Sequence, residues 1–309
     1  MKRERVKVKR VDLKELYERF FKKLDVVYEK IKKRGRPRKY KESLIYFAFA
    51  FKVARKLSYR DLEHQLKEIK LFEKIPDFSS LFYRFKHLNE LILGYFIKKI
   101  ANLIKQIEKI KYSLIDATGF AFDDSFHLKM LRGKELRKVK SHIRLESIVA
   151  ITNNDYSFVD GFYLDKAYSN ENKMLFSLLE NFSFSSKIVI ADALYSTTKL
   201  AKYLLDKKLI PIIPTKDTFR QKVKNPYRLQ LKTFYETFKS LYPKRNLIET
   251  TFAKIKNSFR DREYTKSYNL AKKFILMKLL LLNFATLLAL LFITLCFFQT
   301  HSLFLFKTC

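Results

Sequence analysis

The spacing of apolar residues changes character after Lys111, and this shift divides the chain into a helical part and a mixed α/β part. From Tyr40 to about Ile110 the pattern is helical throughout, broken at Leu57-Ser58 and at Pro76-Asp77-Phe78-Ser79. Beyond Lys111, short apolar runs at Tyr112–Ile115, Ser147–Thr152, Ser157–Leu164, Lys187–Ala191 and Leu209–Ile213 read as strands. Helical stretches lie near Asn172–Asn181, Thr197–Lys207 and Pro243–Phe259. Three strands, then helix, strand, helix, strand and a closing helix give a mixed five-stranded sheet with flanking helices, an order compatible with a ribonuclease-H-like fold.

The helical part opens with residues 1–33, a basic amphipathic helix in which Leu13, Leu16, Phe20, Phe21, Leu24, Val27 and Ile31 recur near helical spacing. Gly35 and Pro37 stop it within Arg34-Gly35-Arg36-Pro37-Arg38-Lys39. That segment reads either as a hook for a narrow AT-rich minor groove, carried by Arg34 and Arg36, or as a solvated linker. Ser58, with Asp61 three residues on, forms a capping box. Ser79 is placed to cap a helix with Leu81, Phe82, Phe85 and Leu88 on one side and Arg84 and Lys86 on the other. Short helices joined by tight turns make a helix-turn-helix type module, with the helix near Ser80 in the major groove, or else a bundle that only packs against the rest. On the first of these readings residues 1–110 are an all-helical DNA-binding region.

Charge supports a polyanionic partner. The 309 residues include 64 Lys+Arg against 31 Asp+Glu, a net charge of +33 spread along the chain. Nucleic acid and an anionic membrane surface both meet that demand. With 48% hydrophobic residues the chain can bury a real core, which sets disorder aside. Two cysteines, Cys296 and Cys309, exclude a disulfide framework and a thiolate zinc site and fit a reducing cytoplasm. The five histidines have no ligand spacing, which leaves carboxylates for hard cations such as Mg²⁺ or Mn²⁺. The basic N-terminus lacks a following apolar core and does not read as a secretory signal.

Three acids stand out against this background. Asp116 follows the apolar run Tyr-Ser-Leu-Ile, and Asp192 follows Lys-Ile-Val-Ile-Ala. A carboxylate at the end of a buried strand is costly without a positive neighbour, although either aspartate alone could simply cap the next helix. Glu249 lies on the closing helix, with Arg245 and Lys256 within about 40° of it around the axis, beside an apolar stripe of Ile248, Phe252, Ile255 and Phe259. Taken alone, Arg245 and Glu249 are an ordinary i,i+4 surface pair. Asp123 and Asp124 are rival carboxylates, placed beyond the expected strand in a solvated turn.

This arrangement resembles the DDE transposases of bacterial and archaeal insertion sequences. Tyr242, Arg245, Glu249 and Lys256 fit the Tyr-x2-Arg-x3-Glu-x6-Lys signature around that family's catalytic glutamate. Asp116 in Asp-Ala-Thr-Gly resembles the first catalytic aspartate, and Asp192, with Tyr195 three residues on, the second. Lys140-Ser-His142 is similar to the Lys-x-His run before the second strand, and Glu146 stands where an aspartate is expected. The resemblance implies a ribonuclease-H-like catalytic domain over residues 111–285. It also implies Asp116, Asp192 and Glu249 as catalytic residues and ligands of two Mg²⁺ ions about 4 Å apart, with Mn²⁺ as a substitute. Tyr242, Arg245 and Lys256 are then expected to hold backbone phosphates of double-stranded DNA, and a homodimer to synapse two transposon ends. Two alternatives stand beside an active transposase: an inactive DNA-binding remnant, and a basic membrane-anchored protein.

The second alternative rests on Leu279–Phe298, twenty consecutive uncharged residues and by length a transmembrane candidate. The family pattern instead places a final buried helix here, from about Lys272, packed on the sheet through Leu279, Leu282 and Leu287. A cytoplasmic, nucleoid-associated protein with a hydrophobic tail over 286–309 is the expectation, and the membrane reading is disfavoured.

Overall fold

A computed structural model describes the backbone of residues 12–30, 39–130, 136–167, 169–215 and 224–305, and their side chains except 29–30, 123–141 and 293–305. Arg34 and Arg36, with the rest of the proposed hook up to Arg38, lie outside the described residues. The chain forms two compact units, one of residues 1–100 with 255–309 and one of residues 101–254.

Helices α1 (Leu13–Leu16), α2 (Lys23–Lys30), α3 (Glu42–Arg55), α4 (Tyr59–Ile69), α5 (Phe78–Lys86) and α6 (Glu90–Ile107) come first. Between α1 and α2 a π turn over Tyr17–Phe21 brings Tyr17, Phe20 and Phe21 all into the core, because its wider turn lets adjacent aromatics face inward. The capping box at α4 forms as expected: Ser58 Oγ accepts from Asp61 N–H while Asp61 accepts from Ser58 N–H. The cap of α5 differs from the expectation. Asp77, not Ser79, accepts from Ser80 N–H, because a carboxylate one residue before the first turn is better placed and charged against the helix dipole. Leu81, Phe85 and Leu88 are buried as expected, but Phe82 is exposed.

Among the described residues the second unit holds five strands: β1 (Ile110–Met130), β2 (Leu136–Thr152), β3 (Ser157–Lys166), β4 (Ile188–Ala191) and β5 (Ile210–Ile212). Helix α7 (Glu171–Leu179) lies between β3 and β4, and α8 (Thr198–Asp206) between β4 and β5. Helix α9 (Pro226–Thr237), a 3₁₀ segment Lys239–Arg245 and α10 (Asn246–Phe259) follow. Spatial order is β3-β2-β1-β4-β5. The first three strands are antiparallel, and β4 and β5 add to β1 in parallel.

Several expectations change here. Asp123 and Asp124 belong to β1, which continues past the expected strand as a long hairpin with β2; their side chains are outside the description. The Asp-Ala-Thr-Gly and Lys-x-His runs meet in that hairpin. The His142 ring lies where a Cβ on Gly119 would be, at 2.8 Å from Cδ2, so only glycine fits beneath it. Pro243 lies inside the 3₁₀ segment and not in the first turn of α10. Helix α9, capped by Asn225 with Pro226 at its start, was not expected.

Back in the first unit, a two-residue strand, β6 (Arg262–Glu263), precedes the last helix, α11 (Tyr268–Leu305). From Leu270 to Leu290 that helix is almost wholly buried, packing on α3 and α5, with Phe274 against Phe49 and Phe284 against Phe20. A helix apolar on every side needs such a surrounding. The stretch Tyr268–Phe292 is long and apolar enough to cross a membrane, yet most of it is enclosed by protein, as the core helix of a soluble fold would be.

Candidate active site

Parallel pairing of β1 with β4 stops at Ile115 opposite Ala191. The residues that follow are Asp116, still on β1, and Asp192, just past the end of β4. Both acids therefore stand at one level, where β4 leaves the ladder and β1 runs on against β2 alone. Backbone groups freed at the open end of parallel strands are the usual place for a site in such sheets.

Each aspartate is steadied by the peptide that follows it. Asp116 Oδ1 accepts from Ala117 N–H at 2.9 Å. Asp192 accepts from Ala193 N–H and so caps a 3₁₀ turn, Ala193–Tyr195. Glu249 projects from the first turn of α10, four residues after Arg245.

Arg245 joins all three. Its guanidinium lies 3.5 Å from Asp116 Oδ2, 3.7 Å from Asp192 Oδ2 and 3.2 Å from Glu249 Oε1. None of these is a short, well-closed ion pair, and Arg245 Nε is buried with no acceptor among the described residues. The three acids are 19%, 36% and 55% exposed, so the cluster is open to water on the Glu249 side. Burial raises the Asp116 carboxyl above the usual aspartate range, with Asp192 and Glu171 pushing the same way; Ala117 N–H and Arg245 oppose them. Tyr242 lies close by, its ring edge-on to Tyr235 at 5.3 Å. Its hydroxyl is harder to ionise than usual, first through burial, with Asp192 and Asp116 adding to the effect and Arg245 opposing it.

The other expected site residues are distributed differently. Lys256, further along α10, meets Asp261 at 3.3 Å in the first unit. Arg84 is engaged by the buried Glu42 of α3, while Lys86 is exposed on α5.

A carboxylate treated in the sequence only as a variant of the pattern turns out to be central. Glu146 on β2 is fully buried, and Tyr195 Oη donates to its Oε1 at 2.9 Å. Burial pushes its carboxyl up to about 8, against the pull of the Tyr195 hydroxyl; Glu171 and Asp116 raise it further and Arg144 lowers it. The signal was present in the alternation of β2, where Glu146 shares a face with Ile148 and Ala150.

Among the described residues no three His, Cys, Asp or Glu side chains surround one point closely enough to hold a metal as they stand. The three acids converge on a cation nonetheless, the Arg245 guanidinium, and their donor set is all carboxylate oxygen. That chemistry fits a hard divalent ion.

Residues 108–284 match the model of the transposase DDE domain family. The chain is also similar to an uncharacterised protein of Aquifex aeolicus strain VF5, 38% identical over 271 residues that span 85% of this chain and 83% of that one.

Proposed function

Because the chain belongs to the transposase DDE domain family, whose members cut and join DNA, we propose that it is the transposase of a prokaryotic insertion sequence. The observation that carries the reading is the meeting of Asp116, Asp192 and Glu249 on one guanidinium at the open end of the β1–β4 pair. In this reading the three acids are the catalytic residues and hold two Mg²⁺ ions, or Mn²⁺ in their place. When bound, such ions supply activation of a water or 3′-hydroxyl and stabilisation of the leaving oxygen of the scissile phosphate.

The remaining residues orient DNA. Arg245 holds part of the acids' charge in the chain alone, and a backbone phosphate competes for the same guanidinium. Tyr242 and Lys256 anchor backbone phosphates, a positioning role that carries no sequence information. Residues 1–110 supply further binding to double-stranded DNA through Arg34, Arg36, Arg84 and Lys86. A homodimer brings two transposon ends together. The net charge of +33 supports this partner, and the enclosure of α11 within protein supports it over a membrane.

The test is incubation of the purified chain with DNA carrying the ends of its own element, with and without Mg²⁺ or Mn²⁺, beside Asp192→Asn. Metal-dependent 3′-end cleavage, lost in the variant, is the expected result. Tight binding by a folded chain without cleavage overturns it in favour of an inactive remnant.

A further inference from the structure

We infer that Glu146 and Tyr195 form a positioning brace that sets the distance between Asp116 and Asp192, a role that rests on the transposase reading above. Strand order places β1, which carries Asp116, between β2 and β4. Glu146 belongs to β2 and sits opposite Ala117, the residue after Asp116. Tyr195 closes the 3₁₀ turn that begins at Asp192, and its N–H bonds the Asp192 carbonyl at 3.0 Å. The bond from Tyr195 to Glu146 therefore ties the flank on one side of β1 to the turn that leaves the strand on its other side.

Alternation fixes where this tie runs. Ile115 packs in one cluster with Tyr195, so Ala117 and its partner Glu146 face that same side of the sheet. Asp116 faces the opposite side, toward Arg245. The brace thus passes behind the strand that presents the first aspartate and fastens the backbone of the second.

Its composition is what a packing role alone does not explain. Both side chains are shut away from solvent, Glu146 at 0% and Tyr195 at 1% exposure, and Glu146 Oε2 is buried with no partner among the described residues. An apolar pair of similar volume would fill the same space without leaving a carboxyl oxygen unsatisfied. A hydroxyl-to-carboxyl bond, unlike an apolar contact, fixes both distance and direction.

The experiment uses the full chain with three variants: Tyr195→Phe, Glu146→Gln, and the double Tyr195→Phe/Glu146→Leu. Mn²⁺ binding without DNA is followed by titration calorimetry, and cleavage of element-end DNA is followed at saturating DNA. Tyr195→Phe is expected to weaken Mn²⁺ binding by about 10- to 100-fold and lower kcat, with KM for DNA unchanged. Glu146→Gln, whose amide oxygen still accepts from Tyr195, is expected to stay close to wild type. The double variant separates the brace from simple stability: it is expected to unfold no earlier than wild type and still bind Mn²⁺ poorly. A folded double variant with wild-type Mn²⁺ affinity overturns the brace, as does a Tyr195→Phe defect confined to KM. Should the wild type bind Mn²⁺ but cleave no end DNA, the transposase reading falls and the binding arm alone judges the brace. A wild type that binds no Mn²⁺ overturns both.

Discussion

Lys278 in the first unit and Arg245 in the second each meet carboxylates, on very different terms. Lys278 is 1% exposed, pairs with Glu263 at 9%, and also donates to the Arg260 carbonyl at 2.7 Å. Its burial lowers the ammonium pKa and raises that of Glu263, while the attraction between them opposes both shifts. Arg245 divides one guanidinium among three wetter acids at 3.2–3.7 Å. A single closed pair in a dry core cannot be opened without stranding a charge, whereas a shared and solvated cluster can release its cation at small cost. One arrangement suits a fixed core, the other a site that must exchange partners.

The comparison breaks most visibly at the acids around Arg245. Asp116→Asn, Asp192→Asn and Glu249→Gln are each expected to lower end cleavage on the order of 10⁴-fold while thermal unfolding stays near wild type. Near-normal cleavage in any of them makes this cluster a structural pair like the other. Next in size, Glu263→Ala should cost about 3–5 kcal/mol in urea unfolding, because the buried Lys278 ammonium loses the carboxylate charge that faces it. The double Lys278→Met/Glu263→Leu should recover most of that, and a single variant as stable as wild type would show the pair is not dry.

Glu146 sharpens the contrast through pH. Its carboxyl keeps a proton in the folded chain up to about pH 8, but in the unfolded chain only up to about its ordinary 4.5. The folded state therefore holds the extra proton between those values, so stability should fall as pH rises from 4.5 to 8. Glu146→Gln should flatten this slope in a series of Tm measurements; an unchanged slope places the titration elsewhere. The smallest effect belongs to Arg245→Gln, expected to change stability by less than about 1 kcal/mol. The same variant should reduce the salt dependence of DNA affinity by about one phosphate contact. A large loss of stability would show that the guanidinium is committed to its acids after all.

Much of the second unit could be read from residue order. Strand runs such as Lys187–Ala191 and the helix carrying Glu249 declared themselves by period, and the capping box at Ser58 by residue type. What escaped depends on partners distant in sequence. The continuation of β1 through Asp123 and Asp124 is set by pairing with β2, since two adjacent aspartates locally favour a turn. Glu146 was visible as an acid in the pattern, but its bond to Tyr195 required knowing that β2 and β4 flank β1. The last helix could not reveal its neighbours because it has no polar face to orient it.

That helix also puts the chain's assembly on a clock. The first unit is made of residues from both sides of the second, and its core needs Leu270 to Leu290. At ordinary rates of synthesis about 10 to 40 seconds separate the emergence of α6 from that of α11. During that interval the early helices wait with their apolar faces uncovered, while residues 101–254 emerge and have every segment of their own unit before α11 appears. The protein therefore becomes whole late, and a chain cut short before residue 268 leaves the ribosome with an unfinished first unit however complete its acids are.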